Sequence, residues 1–143
     1  GPGIGGAFEA RGQARLHLGR VDAAHGGDPR ERFRAAIADF EAWTGDQPLN
    51  TDALRVQALA WIWLAQAEGK RGGDAPAAVE RALAAATRAR EIDPRQAWAY
   101  LLPAEELVRM GRAAEALDLA RAGLTFVREV AALRTFVRER EGK

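Results

Sequence analysis

Shifting the chain of 143 residues against itself by 46 positions brings like residues into register along most of its length. This internal repeat restricts the fold more than any other feature. His25-Gly26-Gly27-Asp28-Pro29 falls on Arg71-Gly72-Gly73-Asp74-Ala75, Ala36 on Ala82, and Pro48 on Pro94. Upstream, Ala7-Phe8 falls on Ala53-Leu54, Ala14 on Ala60, Leu16 on Ile62 and Leu18 on Leu64. A second shift of the same length sets Tyr100 under Leu54, Met110 under Leu64 and Gly111 under Ala65. One such unit cannot bury its apolar face alone, so each copy is expected to be covered by the next.

Each repeat reads as two helices. Alanine dominates the apolar residues while Val, Ile, Thr and Tyr are sparse, which favours helix over strand. The first helix of the second repeat is expected to start near Asn50 or Thr51 and run past Trp63, with apolar residues three and four apart. Gly69 and Gly72-Gly73 follow, where a left-handed C-terminal cap needs glycine. Asp28-Pro29-Arg30-Glu31 supplies a capping carboxylate, a proline whose missing N–H is harmless in the first turn, and a capping-box Glu. Asp93-Pro94-Arg95-Gln96 predicts the same start for the first helix of the third repeat, and Asp74 predicts a cap for the second helix of the second. Pro103 is expected to kink its helix.

At this point the chain resembles the tetratricopeptide repeat (TPR) family. Its small-residue pattern appears as Ala36, Phe40, Trp43 and Pro48, then as Ala82, Ala86, Ala89 and Pro94. In the third repeat it appears as Tyr100, Ala104, Leu107, Gly111, Ala116, Ala120 and Gly123, and Phe8 with Gly12 and Leu54 with Ala58 and Trp61 suit the first helices. The first two repeats are about a dozen residues longer than the usual length of about 34, which is read as longer helices plus the Gly-Gly-Asp turn. The family's leucine one turn after the first aromatic is replaced by Arg11, Gln57 and Pro103. The elongated units are similar to those appended to bacterial serine/threonine protein kinases and other signalling proteins.

The resemblance implies an all-α fold, a right-handed superhelical stack of helix-turn-helix repeats with a C-terminal capping helix. Residues 1–5 are read as a tag remnant or disordered start, 6–48, 49–94 and 95–124 as three repeats, and 125–143 as the capping helix and tail. In that last segment Phe126, Val130, Leu133 and Val137 form the apolar face, Arg128, Arg134, Arg138, Glu139 and Arg140 face water, and Thr125 is a candidate N-cap.

Composition removes most chemistry. The chain has no cysteine and no serine, so disulfides, thiolate metal sites and a Ser-His-Asp centre are absent. With 21 basic and 20 acidic residues, it lacks the charge excess of a nucleic-acid coat or a polybasic membrane binder. Ala58 to Ala65 is the longest apolar run, too short to span a bilayer, and Gly1-Pro2-Gly3 does not open a signal peptide. A cytoplasmic fragment of a larger bacterial protein is expected. Glu105 and Glu106 point about 100° apart on a helix and read as a solvated face rather than a catalytic pair. Asp22, His25 and Asp28 surround a turn, where capping is a simpler role than metal binding. No enzyme activity, cofactor or metal is expected.

Binding is the remaining expectation. The resemblance implies a concave groove lined by the first helices, carried here by the strips Glu9/Gln13/His17, Arg55/Leu59/Trp63 and Leu101/Glu105/Arg109, with Trp98 at the rim. An indole beside arginines suits an interface anchor. A chaperone-tail clamp is not expected, because the only Asn is Asn50 and neither Lys70 nor Lys143 lies on a strip. The expected partner is a protein or peptide, not nucleic acid or membrane. The rival role is structural: packing against the parent's other domains, or homo-oligomerisation.

Overall fold

The computed structural model describes residues 2–127 and 130–142, with side chains from residue 5 onward. Among the described residues the secondary structure is all α: α1 (Pro2–Ala24), α2 (Arg30–Asp46), α3 (Thr51–Lys70), α4 (Ala75–Ile92), α5 (Trp98–Arg109), α6 (Ala113–Phe126) and α7 (Ala131–Glu141). None of these helices is long and apolar enough to cross a membrane. The chain divides into two compact units, Gly1–Ala85 and Ala86–Lys143, the division falling inside α4.

In the N-terminal unit α1 is helical from Pro2, so residues 2–5 extend the helix rather than forming a disordered start. Its sequence is poor in helix propensity, since interior glycines each cost about 1 kcal/mol relative to alanine. Packing overrides this. Gly5, Gly12 and Gly19 recur every seventh residue and meet, in turn, Asp46 and Gln47, Phe40, and Phe33 of α2. The opposed order makes the pair antiparallel. A Cβ at Gly12 or Gly19 would lie 2.6 Å from a Phe ring atom, so only glycine permits this approach. Phe33 and Phe40 are thereby fully buried, each stabilising the fold by about 2–3 kcal/mol. They join Ile37, Trp43, Val56 and Leu64 in one core, with Phe8, Trp61 and Trp63 packed at its edge.

Arg11 has a structural task. Its Nε and Nη2 donate to Asp39 Oδ1 at 3.0 and 2.7 Å, and Arg15 Nη1 donates to Oδ2 at 2.7 Å. Asp39 is 3% exposed, so two cations satisfy a carboxylate that could not otherwise be buried.

The helix ends show the repeat in three dimensions. Gly26, Gly72 and Gly111 have φ of +83°, +74° and +78°, and each follows the first helix of a repeat. The next N–H closes back five residues each time: Gly27 to Asp22 O, Gly73 to Glu68 O and Arg112 to Leu107 O, all at 2.8 Å. These are three Schellman caps. Gly69, in contrast, lies inside α3. Asn50 caps α3 through Asp52 and Ala53 N–H, and Asp74 Oδ1 accepts from Ala77 N–H, as expected. Asp28 Oδ1 accepts from Arg30 N–H, but the N-cap position of α2 is Pro29 and no side chain caps that helix. Asp93 accepts from Arg95 N–H and Gln96 Nε2, forming a turn, and α5 starts only at Trp98.

In the C-terminal unit Tyr100 seats on Gly123, drawing α5 against α6, and its hydroxyl donates to Pro94 O at 2.7 Å. Pro103, buried inside α5, has no N–H for the Ala99 carbonyl one turn back. The Arg90 guanidinium takes its place, donating to Ala99 O at 2.5 Å while lying over the Tyr100 ring. Burial pulls the Arg90 pKa below its usual range.

The capping segment requires correction. α6 continues through Phe126, so Thr125 is not an N-cap; its hydroxyl bonds back to Arg121 O, and Phe126 is 52% exposed. The capping helix is α7, which buries Leu133, Phe136 and Val137. Arg134, Arg138 and Glu139 are exposed, whereas Arg140 lies over the Phe136 ring, and Arg128 falls outside the described residues. α7 packs on α6 and touches α5, just as α3 packs on α2 and touches α1. It therefore stands where the first helix of another repeat would stand.

Candidate binding clefts

Each compact unit carries a cleft between helices of the first type. In the N-terminal unit α1 supplies Arg20 and Ala23, and α3 supplies Trp63, Gln66, Ala67 and Lys70. The Gly26-Gly27 turn, Pro29 and Phe33 close one end, around about 510 Å³. In the C-terminal unit α5 supplies Leu101, Glu105, Val108 and Arg109, and α7 supplies Phe136, Glu139 and Arg140, around about 700 Å³.

The two clefts occupy equivalent places. Six and three residues before the left-handed glycine stand Arg20 and Ala23 of α1, and Glu105 and Val108 of α5. The Schellman cap fixes where the first helix stops, and so fixes which turn of it opens onto the cleft.

The charges are arranged differently. In the C-terminal cleft Arg109 is paired with Glu106, and Arg140 lies near Glu139 while covering Phe136. Glu106 is buried, so the expected solvated pair separates into an exposed Glu105 and an inward Glu106 held by Arg109. In the N-terminal cleft Arg20 stacks 4.4 Å over the Trp63 ring. Neither Arg20 nor Lys70 has a carboxylate partner among the described residues. Arg71 is engaged, donating to Gly27 O at 2.9 Å and lying 3.4 Å from Asp28.

The expected strips are therefore only partly gathered. Trp63 lines the first cleft, and Leu101, Glu105 and Arg109 line the second. Glu9, Gln13, His17 and Arg55 are exposed, Leu59 and Trp98 are half-buried, and none of these six lines either cleft. The indole nitrogens of Trp63 and Trp98 are buried without a partner. Sequence reasoning missed Arg20 and Lys70, whose signal is their spacing from Gly26 and Gly72, and it missed Phe136 as a groove residue.

The turn considered for metal binding is occupied by protein contacts. Asp22 accepts from Arg32 Nε at 2.5 Å, and the His25 ring bonds Val21 O through Nδ1. The side-chain hydrogen bond from Arg30, then that from its backbone N–H, holds the Asp28 pKa down at about 2. Arg30 and Arg34 also donate to Glu68 of α3, which ties the Gly-Gly-Asp turn to the second repeat.

No family model and no curated protein matches the chain. Among solved structures it is similar to the crystal structure of TTC0263, described as a thermophilic TPR protein in Thermus thermophilus. The identity is 19%, the TM-score 0.44, and the match covers 90% of this chain and 80% of that one.

Proposed function

We propose that this chain is a non-catalytic protein-binding module that takes peptide segments along its first-type helices. The observation that carries this is the recurrence of a cleft at the same distance from the left-handed glycine in both units. Apolar walls with a few charged groups are what a peptide side chain needs to bind with defined orientation. The contact residues proposed are Trp63, Arg55, Leu59, Gln13 and His17 in the N-terminal unit, and Leu101, Glu105, Arg109 and Trp98 in the C-terminal unit. The bacterial multidomain origin and the cytoplasmic setting belong to the same proposal.

A display selection of random peptides on the purified chain tests it. Selected peptides should lose affinity on Arg55→Ala or Glu105→Ala with melting unchanged, since both side chains are exposed. Selection of no peptide, or of peptides indifferent to every cleft and strip substitution, would remove the reading.

A second reading, self-association or packing against other domains, is favoured by one observation. Ala7, Ala10, Ala14, Leu18 and Val21 form an exposed apolar stripe on α1, with Leu18 44% and Val21 37% exposed. Solution mass measured across a concentration series tests it: dimerisation abolished by Leu18→Lys supports it, and a monomer throughout removes self-association.

A further inference from the structure

Resting on the protein-binding reading, we infer that the N-terminal cleft is an acid-selective pocket, which takes an Asp or Glu side chain next to an apolar or aromatic one on a partner segment. The charge inventory points this way. Most arginines in the N-terminal unit are neutralised by carboxylates: Arg11 and Arg15 by Asp39, Arg30 by Asp28 and Glu68, Arg32 by Asp22, and Arg34 by Glu68. The cleft sets two cations without such a partner together. It is lined by Arg20, Lys70 and Arg71 and by no Asp or Glu, and Arg20 and Lys70 have no carboxylate partner among the described residues. The equivalent cleft of the other unit holds Glu105 and Glu139 beside Arg109 and Arg140, so the excess of one sign is specific to the first.

Geometry supplies the rest of the occupant. Phe33, Ala23, Ala67 and the Trp63 ring form the apolar wall, and about 510 Å³ holds more than one side chain. Arg20, lying on Trp63, can keep its stacked position while its guanidinium edge pairs with a carboxylate, because stacking uses the face and pairing uses the rim. Both α1 and α3 end at this cleft, and bare C-terminal carbonyls would repel an anion. Here the Asp22 and Glu68 carbonyls accept Schellman hydrogen bonds, and the unpaired Arg20 and Lys70 face what remains. A carboxylate without an apolar neighbour would leave the wall wet, and an apolar segment without a carboxylate would desolvate two unpaired cations, so the pair of features is selected together.

The test uses the intact ¹⁵N-labelled chain and the blocked peptide acetyl-Gly-Glu-Phe-Glu-Gly-amide, with its Gln-for-Glu analogue as control. The readout is the indole N–H resonance of Trp63, assigned by Trp63→Phe. The acidic peptide should shift this resonance saturably, and the Gln analogue should bind about tenfold more weakly, a ratio that shrinks at high salt. Arg20→Ala with Lys70→Ala should abolish the preference with melting unchanged, because both side chains are exposed. Equal binding of the two peptides, or an unaltered preference in the double variant, overturns the inference. Phenylacetate offers the same acid and ring as a free molecule; tighter binding than the peptide overturns the assignment to a partner segment. If the acidic peptide shifts resonances of the α5–α7 cleft but not Trp63, this inference falls and protein binding stands. If neither cleft responds to this peptide or to any selected one, both fall.

Discussion

Asp39 and the two arginines that hold it are unequal partners. The carboxylate is 3% exposed, while the Arg11 and Arg15 side chains are 55% and 39% exposed. Asp39→Asn would leave two cations that can rehydrate, at an expected cost of about 1–2 kcal/mol. Arg11→Met with Arg15→Met keeps the aliphatic cover but strands a buried charge, and should cost about 3 kcal/mol or more. Urea unfolding of the two variants measures the difference. The turn carboxylates give a pH prediction. Asp28 titrates at about 2 in the folded chain, held there first by the Arg30 side chain, and Asp93 is lowered first by the Arg95 backbone N–H. Both folded pKa values lie below the unfolded ones, so their stabilisation is complete above the ordinary carboxylate range. It is lost as pH falls through that range toward about 2 for Asp28. Asp28→Asn keeps the acceptor but not the charge, and should flatten that part of a urea-midpoint-against-pH curve. The Asp74 cap and the glycine turns were legible, because Gly-Gly-Asp names its own local geometry. The Arg11 contact was not, since its partner lies 28 positions away on another helix.

At the level of elements, the repeat is expressed by where helices stop. Gly26, Gly72 and Gly111 sit at φ values closed to side chains, so each Gly→Ala change should cost about 1 kcal/mol, and changes at separate turns should add. Alanine at the close contacts is a second device. Ala82 is fully buried and Ala77 exposed, so Ala82→Leu should cost about 1–3 kcal/mol and Ala77→Leu little, by thermal melting. Helical periodicity made the existence and order of these helices legible. Two boundaries were not. In both Asp93-Pro94 and Asp28-Pro29 the Asp accepts from the N–H two residues on, yet α2 begins at Arg30 and α5 only at Trp98. Likewise α6 carries Thr125 as an interior residue, and its hydroxyl returns to Arg121 O instead of capping a new helix. The glycine spacing at 5, 12 and 19 was visible in the sequence, but its meaning depends on Phe33 and Phe40 arriving with the same period on α2.

At the scale of the molecule, α7 takes the position of a further first helix and provides one wall of a cleft. Ending the chain before α7 should expose the faces that Leu133, Phe136 and Val137 cover, lowering the melting temperature and promoting aggregation. The candidate strips were only half legible for a related reason. Four-residue spacing finds one face of one helix, whereas a cleft needs the facing helix as well, and Arg20 and Phe136 come from that second wall. The most direct test is to map a display-selected peptide by backbone amide shifts on the intact chain. Perturbations should concentrate on the α1–α3 cleft around Trp63 or on the α5–α7 cleft around Leu101 and Phe136. Perturbations confined to α2, α4 and α6, with both clefts silent, would contradict binding along the first-type helices.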